Sequence, residues 1–260
     1  MDALPVLKYL DLYGNKMEGS LLSEGTCKTE LCSLKKLEEL DLSSNHFEGI
    51  FPPCLNNLTS LTLFAISYNR FSGIISSTSI ANLTTFKFID LSNNLFGGNW
   101  SPSLIASMTS LVNIDLSNNL FEGLFPFSSF YNHSKLKVIQ LLNDDNYKLH
   151  IETENPSWDP LFQLQVLVLS NCNLNNPTGD FLKFLLGQHD LEVLFLSRMK
   201  LKGSFPSWLL KNNSGLQWLN LQGNSFMGPL HLPSNQSIDL NFLNVSNNSF
   251  ASMFHTSHLK

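Results

Sequence analysis

The stretch LDLSSNHFEGIFP, Leu40 to Pro52, decides the fold. It recurs as IDLSNNLFGGN from Ile89 to Asn99 and as IDLSNNLFEGLFP from Ile114 to Pro126. Aligned on Asn45 and its equivalents, the chain shows ten registers, at Asn15, Asn45, Asn69, Asn94, Asn119, Asp144, Cys172, Met199, Asn224 and Asn248. Successive gaps are 30, 24, 25, 25, 25, 28, 27, 25 and 24 residues. A period this regular means one structural unit stacked on itself, so the chain reads as a single array over residues 1–260, uncapped at both ends.

The letters of the unit have physical reasons. In Glu39-Leu40-Asp41-Leu42-Ser43, alternation sends Leu40 and Leu42 to one face of a short strand and the polar residues to the other. One unit cannot bury that apolar face alone, but stacked neighbours bury it continuously and line up as a parallel sheet. The Asn turns the chain out of the strand, and its amide can both donate to and accept from backbone groups that the sheet leaves unpaired. Cys172 and Met199 can do little of either, so the ladder is expected to be weakest across these two repeats. The pattern L-x-x-L-x-L-x-x-N-x-L at this period is that of the leucine-rich repeat. The expected fold is an α/β leucine-rich-repeat solenoid of about ten repeats, with a curved parallel β-sheet on the concave face. Short helices, 3-10 turns and loops, such as the CLNNLTSL stretch from Cys54, make the convex face.

A second motif follows the Asn: Phe47-Glu48-Gly49-Ile50-Phe51-Pro52, then Phe121 to Pro126 and Leu201 to Pro206. Gly suits a turn with positive φ, and Pro stops helix formation there. This F/L-x-G-x-x-P extension resembles the plant-specific class of the repeat, and the resemblance implies a second, lateral strand in each unit. Two stretches, Thr26 to Leu61 and His150 to Asn175, are similar to the ectodomains of plant receptor-like proteins. Those are cell-surface receptors with one membrane helix and a short tail without a kinase. The resemblance implies an extracellular ligand, co-receptor and adaptor kinases as partners, and a place on the outer side of the plasma membrane. Their signal peptide, N-terminal cap, island domain and membrane helix have no counterpart in this span, which reads as a fragment.

Composition narrows the function classes. Net charge is −5 without a basic block, which counts against nucleic acid and anionic membrane surfaces. No apolar run reaches the roughly 18 residues of a membrane helix. The seven His are scattered, and no H-E-x-x-H, G-x-S-x-G, P-loop or zinc-type Cys spacing occurs. Asp41, Asp90 and Asp115 share one outward slot, but that is the default spelling of the repeat and reads as a solvated face. No cofactor and no catalysis are expected.

Binding is the better expectation, because a solenoid offers an extended concave surface. Departures from the default spelling there are informative: Tyr68 and Arg70 in the third repeat, Gln140 in the sixth, Val168 in the seventh, Phe195 and Arg198 in the eighth, and Trp218 in the ninth. Phe195, Arg198 and Trp218 are neighbours in slot terms, and aromatics with Arg anchor many interfaces. The ligand classes considered are a peptide, a protein or an oligosaccharide. The rivals are the ectodomain of a receptor kinase, a secreted inhibitor of cell-wall-degrading enzymes and an intracellular scaffold. The loop from Asn143 to Phe162 is expected to pack on the convex side around Trp158.

Cys32 and Cys54 fall in equivalent convex regions one repeat apart and are candidates for a disulfide in an oxidising compartment; Cys27 competes for either, and Cys172 is expected to be a buried free thiol. Glycosylation sequons stand at Asn57, Asn82, Asn99, Asn132, Asn212, Asn235, Asn244 and Asn247. The first six are the candidates, with Asn57 and Asn82 foremost; Asn244 and Asn247 fall on the strand face and in its turn.

Overall fold

The computed structural model describes residues 4–21, 30–51, 53–75, 84–143, 148–152, 160–174, 182–232 and 239–252. Ten short strands, one per repeat, pair in chain order into one parallel sheet. They are Tyr9–Asp11, Glu39–Asp41, Leu63–Ala65, Phe88–Asp90, Asn113–Asp115, Val138–Leu142, Val166–Ser170, Val193–Phe195, Trp218–Asn220 and Phe242–Asn244. At ~4.8 Å between strands the sheet is roughly 45 Å long.

The eight inner strands bury alternate residues, as Leu40 and Leu42, Phe64 and Ile66, or Leu194 and Leu196, while Leu10, Leu12, Leu243 and Val245 of the two end repeats are only half-buried. After most of these strands the chain turns through a left-handed residue. Ser44, Tyr68, Asn93, Asn118, Asn171 and Arg198 all have φ between 52° and 58°. The Asn that follows then bonds to two repeats. Nδ2 of Asn69 donates to Ile66 O at 3.1 Å and to Leu42 O of the preceding repeat at 2.9 Å, while its Oδ1 accepts from Phe47 N at 3.0 Å. Asn45, Asn94, Asn119, Asn224 and Asn248 repeat the pattern.

The expected weak point is partly mended. The Cys172 thiol donates to Leu141 O at 3.4 Å, taking the donor role of the absent Asn. Met199 donates nothing from its side chain, but Asn224 Oδ1 accepts from both Met199 N and Leu201 N at 3.0 Å. Asp144 lies outside the described residues.

Past the Asn, lateral strands form a five-stranded sheet and two three-stranded ones. The Phe that opens the F-x-G motif points inward, and successive repeats stack these rings. Phe47 and Phe71 are 6.1 Å apart, Phe71 and Phe96 are 6.3 Å apart, and Phe226 and Phe250 are 6.4 Å apart. Leu174 and Leu201 take this slot in the repeats where Cys172 and Met199 replace the Asn, so both ladders thin at the same place. The segment expected as a packed loop contributes a lateral strand, Leu149–Glu152, paired with Gly123–Pro126 and with Asn173–Leu174. Trp158 lies outside the described residues. The other side of the core carries the short helices, including 3-10 turns at Glu30–Ser33 and Pro53–Asn57 and α-helices at Pro102–Ser107 and Ser207–Asn212.

Candidate functional site

The open face of the ten-stranded sheet presents two outward rows, fixed by strand register. The first row runs Tyr9, Glu39, Leu63, Phe88, Asn113, Val138, Val166, Val193, Trp218, Phe242. The second runs Asp11, Asp41, Ala65, Asp90, Asp115, Gln140, Val168, Phe195, Asn220, Asn244.

Chemistry changes along the face. In the first half the second row is acidic. Each Asp spends one carboxylate oxygen on the backbone N–H two residues on, as Asp41 does with Ser43 at 2.8 Å and Asp90 with Ser92 at 3.0 Å. Asp115 also accepts from Gln140 Nε2 at 3.1 Å. Burial pushes the Asp115 carboxyl up, and the charge of Asp90 adds to this, against the lowering pull of its Ser117 hydrogen bonds. In the second half the first row turns apolar throughout, and the second carries Val168 and Phe195 between Gln140 and the pair Asn220 and Asn244. Trp218 is 44% exposed and stacks on Phe242 at 5.4 Å with 28° between planes, and Phe195 lies 6.3 Å from the same ring. An aromatic cluster left open to solvent on a sheet face is surface that a partner can cover.

The structure sorts the sequence-stated candidates unevenly. Phe195 and Trp218 meet around Phe242, as their slots require. Arg198 sits in the left-handed turn after the Phe195 strand, exposed and with its stem against Gly223. Tyr68 occupies the equivalent turn five repeats earlier and is exposed. Gln140 is half-buried and tied to Asp115. Two assignments need correction. Val168 is on the face but only 8% exposed, covered between Gln140 and Phe195, so it offers little to a ligand. Arg70 is not on this face at all: it opens the lateral strand Arg70–Ile74, because the Asn69 turn has already redirected the chain. Phe242 was missed, although it holds the same slot as Trp218 and counting back from Asn248 finds it.

Cys32 is disulfide-bonded and Cys172 is free and buried. Cys27 and the side chain of Cys54 lie outside the described residues, but the two 3-10 turns that carry Cys32 and Cys54 are in contact. Asn57, Asn99 and Asn132 are exposed and Asn212 is half-buried; Asn82 and Asn235 lie outside the described residues. Among the described residues no helix is long and apolar enough to cross a membrane, and no three His, Cys, Asp or Glu gather as metal ligands.

The parallel sheet, the Asn ladder and the lateral strands together define a leucine-rich-repeat protein, and the leucine-rich-repeat family model matches residues 35–96. Within that class the chain is similar to plant receptor-like proteins. It is 34% identical over 242 residues to Cuscuta receptor 1 of Solanum lycopersicum, covering 93% of this chain and 18% of that protein. It is 40% identical over 223 residues to receptor-like protein 13 of Arabidopsis thaliana, covering 86% of this chain and 18% of the relative. The chain thus spans under a fifth of the length of these relatives. Among solved structures it resembles the Arabidopsis receptor kinase HAESA in complex with the peptide hormone IDA and the co-receptor SERK1. The TM-score is 0.68 and the identity 26%, over 96% of this chain and 43% of that one.

Proposed function

We propose that this chain is an extracellular, non-catalytic ligand-binding segment of a plant cell-surface receptor-like protein. It takes its ligand on the ten-strand face and passes the signal to partner kinases. The observation that carries this reading is the aromatic cluster of Phe195, Trp218 and Phe242 on the ten-strand face, with Trp218 44% exposed and Arg198 exposed in the turn that follows the Phe195 strand. A peptide is the favoured ligand class, since a peptide complex is among the solved neighbours and extended chains can lie along a sheet face. The Cys32 bridge, assigned here to Cys54, fits an oxidising compartment.

The test is selection of binders from a displayed library of random 12-residue peptides, followed by affinity measurement on the chain with Phe195, Arg198 and Trp218 all replaced by Ala. Two aromatic anchors and an Arg at the centre of a small interface are together worth a tenfold or larger loss. Unchanged affinity in the triple variant removes the assignment of this cluster as the ligand anchor.

A further inference from the structure

The sequons look scattered in the sequence, but three of the described ones share one slot of the repeat. Asn57, Asn132 and Asn212 each stand four residues before the first inward Leu of their repeat: Leu61, Leu136 and Leu216, all buried. The middle residue of each sequon points into the core. Leu58, His133 and Asn213 are all 0% exposed. The flanking positions therefore face out on the helix side: Thr59, Ser134 and Ser214 are exposed, as are Asn57 and Asn132, and Asn212 is half-exposed.

Among these three, Asn212 Nδ2 makes only a long contact, 3.4 Å, to Leu186 O at the exposed surface. The remaining described sequons sit elsewhere in the repeat. Asn99 is exposed, but its carboxamide lies on the backbone of Gly123, where a Cβ would come within 2.2 Å of its Oδ1. Asn244 is in a face strand, donates to Gln222 Oε1 at 3.2 Å and accepts from Ser246 Oγ at 2.7 Å. Asn247 occupies the left-handed turn at φ 54°.

We infer that the helix side carries a row of N-linked glycans at Asn57, Asn132 and Asn212, and that Asn99, Asn244 and Asn247 are left bare. The inference rests on the extracellular reading above. In the transfer, a bond forms between the Asn Nδ2 and the anomeric carbon of an oligosaccharide carried on a polyprenyl diphosphate. The carbon's bond to the diphosphate oxygen breaks, and one Nδ2 proton leaves with the released diphosphate. The product is a bulky, hydrated substituent that the folded chain has to leave in solvent. At the row it projects away from the core, whereas at Asn244 it would break the Gln222 contact and lie over Phe242. Exposure alone would rank Asn99 above Asn212; the slot geometry reverses that order. A glycan row on the helix side also confines protein partners to the ten-strand and lateral faces.

The experiment expresses the full chain behind a cleavable secretion signal in plant cells and collects folded protein from the microsomal lumen and the medium. Glycans are removed by a peptide:N-glycosidase in heavy-oxygen water, and each labelled Asp is mapped by mass spectrometry. Label at Asn57, Asn132 and Asn212 at fivefold or greater occupancy over Asn99, Asn244 and Asn247 is the expected result. Lumenal protein with the row bare, or equal label at the other three sites, overturns it. The N57Q/N132Q/N212Q variant, put through the peptide selection, separates the two proposals: binding that survives leaves the ligand reading intact whatever the glycan map shows.

Discussion

Asn69 Oδ1 accepts the backbone N–H of Phe47, 22 residues earlier, at 3.0 Å, with both groups buried. The amide thereby fastens the start of one repeat's lateral strand to the next repeat's turn, while its Nδ2 closes the carbonyls of Leu42 and Ile66. Asn69→Ala leaves a buried N–H and at least one carbonyl without partners, each costing about 1–3 kcal/mol. The expected destabilisation is about 3 kcal/mol. Asn248 makes the same set of bonds at the less buried end of the array, so Asn248→Ala should cost about a third as much. Urea unfolding of both variants checks this, and equal costs would mean that burial does not set the ladder's strength.

The glycine of the F-x-G motif has two separable reasons to be there. Gly73 has φ +87°, and a Cβ on it would lie 2.8 Å from Ile50 Cγ2 of the previous repeat. Gly19, the same position in the first repeat, also has positive φ, +92°, but nothing lies within 4 Å. Gly19→Ala should therefore cost only backbone strain, about 1 kcal/mol, and Gly73→Ala about 2 kcal/mol. The excess is steric, so adding Ile50→Ala, at a half-exposed side chain, should recover about 1 kcal/mol in thermal unfolding. No recovery would place the whole cost in the backbone.

The array was legible in the sequence because its slots are chemically exclusive. Only a bulky apolar residue suits the inward strand positions, only a carboxamide both donates and accepts in the turn, and glycine is the residue for the φ +87° corner at Gly73. The lateral strands came from resemblance, since Arg70-Phe71-Ser72-Gly73-Ile74 does not announce a strand by alternation alone. The face was harder to read. Its positions accept any residue that tolerates solvent, so nothing in the letters ranks them, and only register does. Counting one residue past Asn69 placed Arg70 on the wrong face. The shading of Val168 depends on the size of its neighbours Gln140 and Phe195, which slot counting ignores. Phe242 escaped because its repeat, NFLNVSNNSF, carries Asn244 and Val245 where earlier repeats carry Asp and Leu, so its strand does not spell the default pattern.

His133 fills a core slot taken by Leu58 and Met108 in other repeats. Its Nε2 pairs with Ile105 O at 3.1 Å, and its buried Nδ1 has no hydrogen-bond partner. Burial pushes its pKa below the ordinary value of 6.5. Below about pH 6.5 the unfolded chain takes up a proton that the folded chain refuses, so stability is full above that pH and falls as the pH drops. The slope is at most about 1.4 kcal/mol per pH unit. Ile105 O also accepts from Met108 N at 3.0 Å, so His133→Leu orphans nothing and keeps the sequon spelled as Asn-Leu-Ser. The variant should match wild type at pH 7.5 and exceed it at pH 5. A wild-type profile that is flat from pH 7.5 to 5 would mean that His133 is charged in the folded chain.

Cys172 makes the opposite prediction at the alkaline end. Burial pushes its thiol from the ordinary 9.0 up to about 12, against a small lowering from the Asn143 amide. Between about pH 9 and 12 the unfolded chain loses a proton that the folded chain keeps, so the stability held below pH 9 is lost as the pH rises, by up to about 1.4 kcal/mol per unit. The thiolate is the reactive species, so Cys172 in the folded chain should resist iodoacetamide at pH 8.5 and react only as fast as the chain opens. Cys172→Ala removes the Leu141 hydrogen bond and should cost about 1–2 kcal/mol at pH 7.5. Its deficit should shrink steadily above pH 9, because wild type then pays to keep the thiol protonated. Peptide mapping of alkylation, with unfolding of both proteins at pH 7.5 and 10.5, reads both effects. Rapid native labelling of Cys172 at pH 8.5, or a deficit constant with pH, would mean that the seventh repeat is open to solvent at the slot where its Asn is missing.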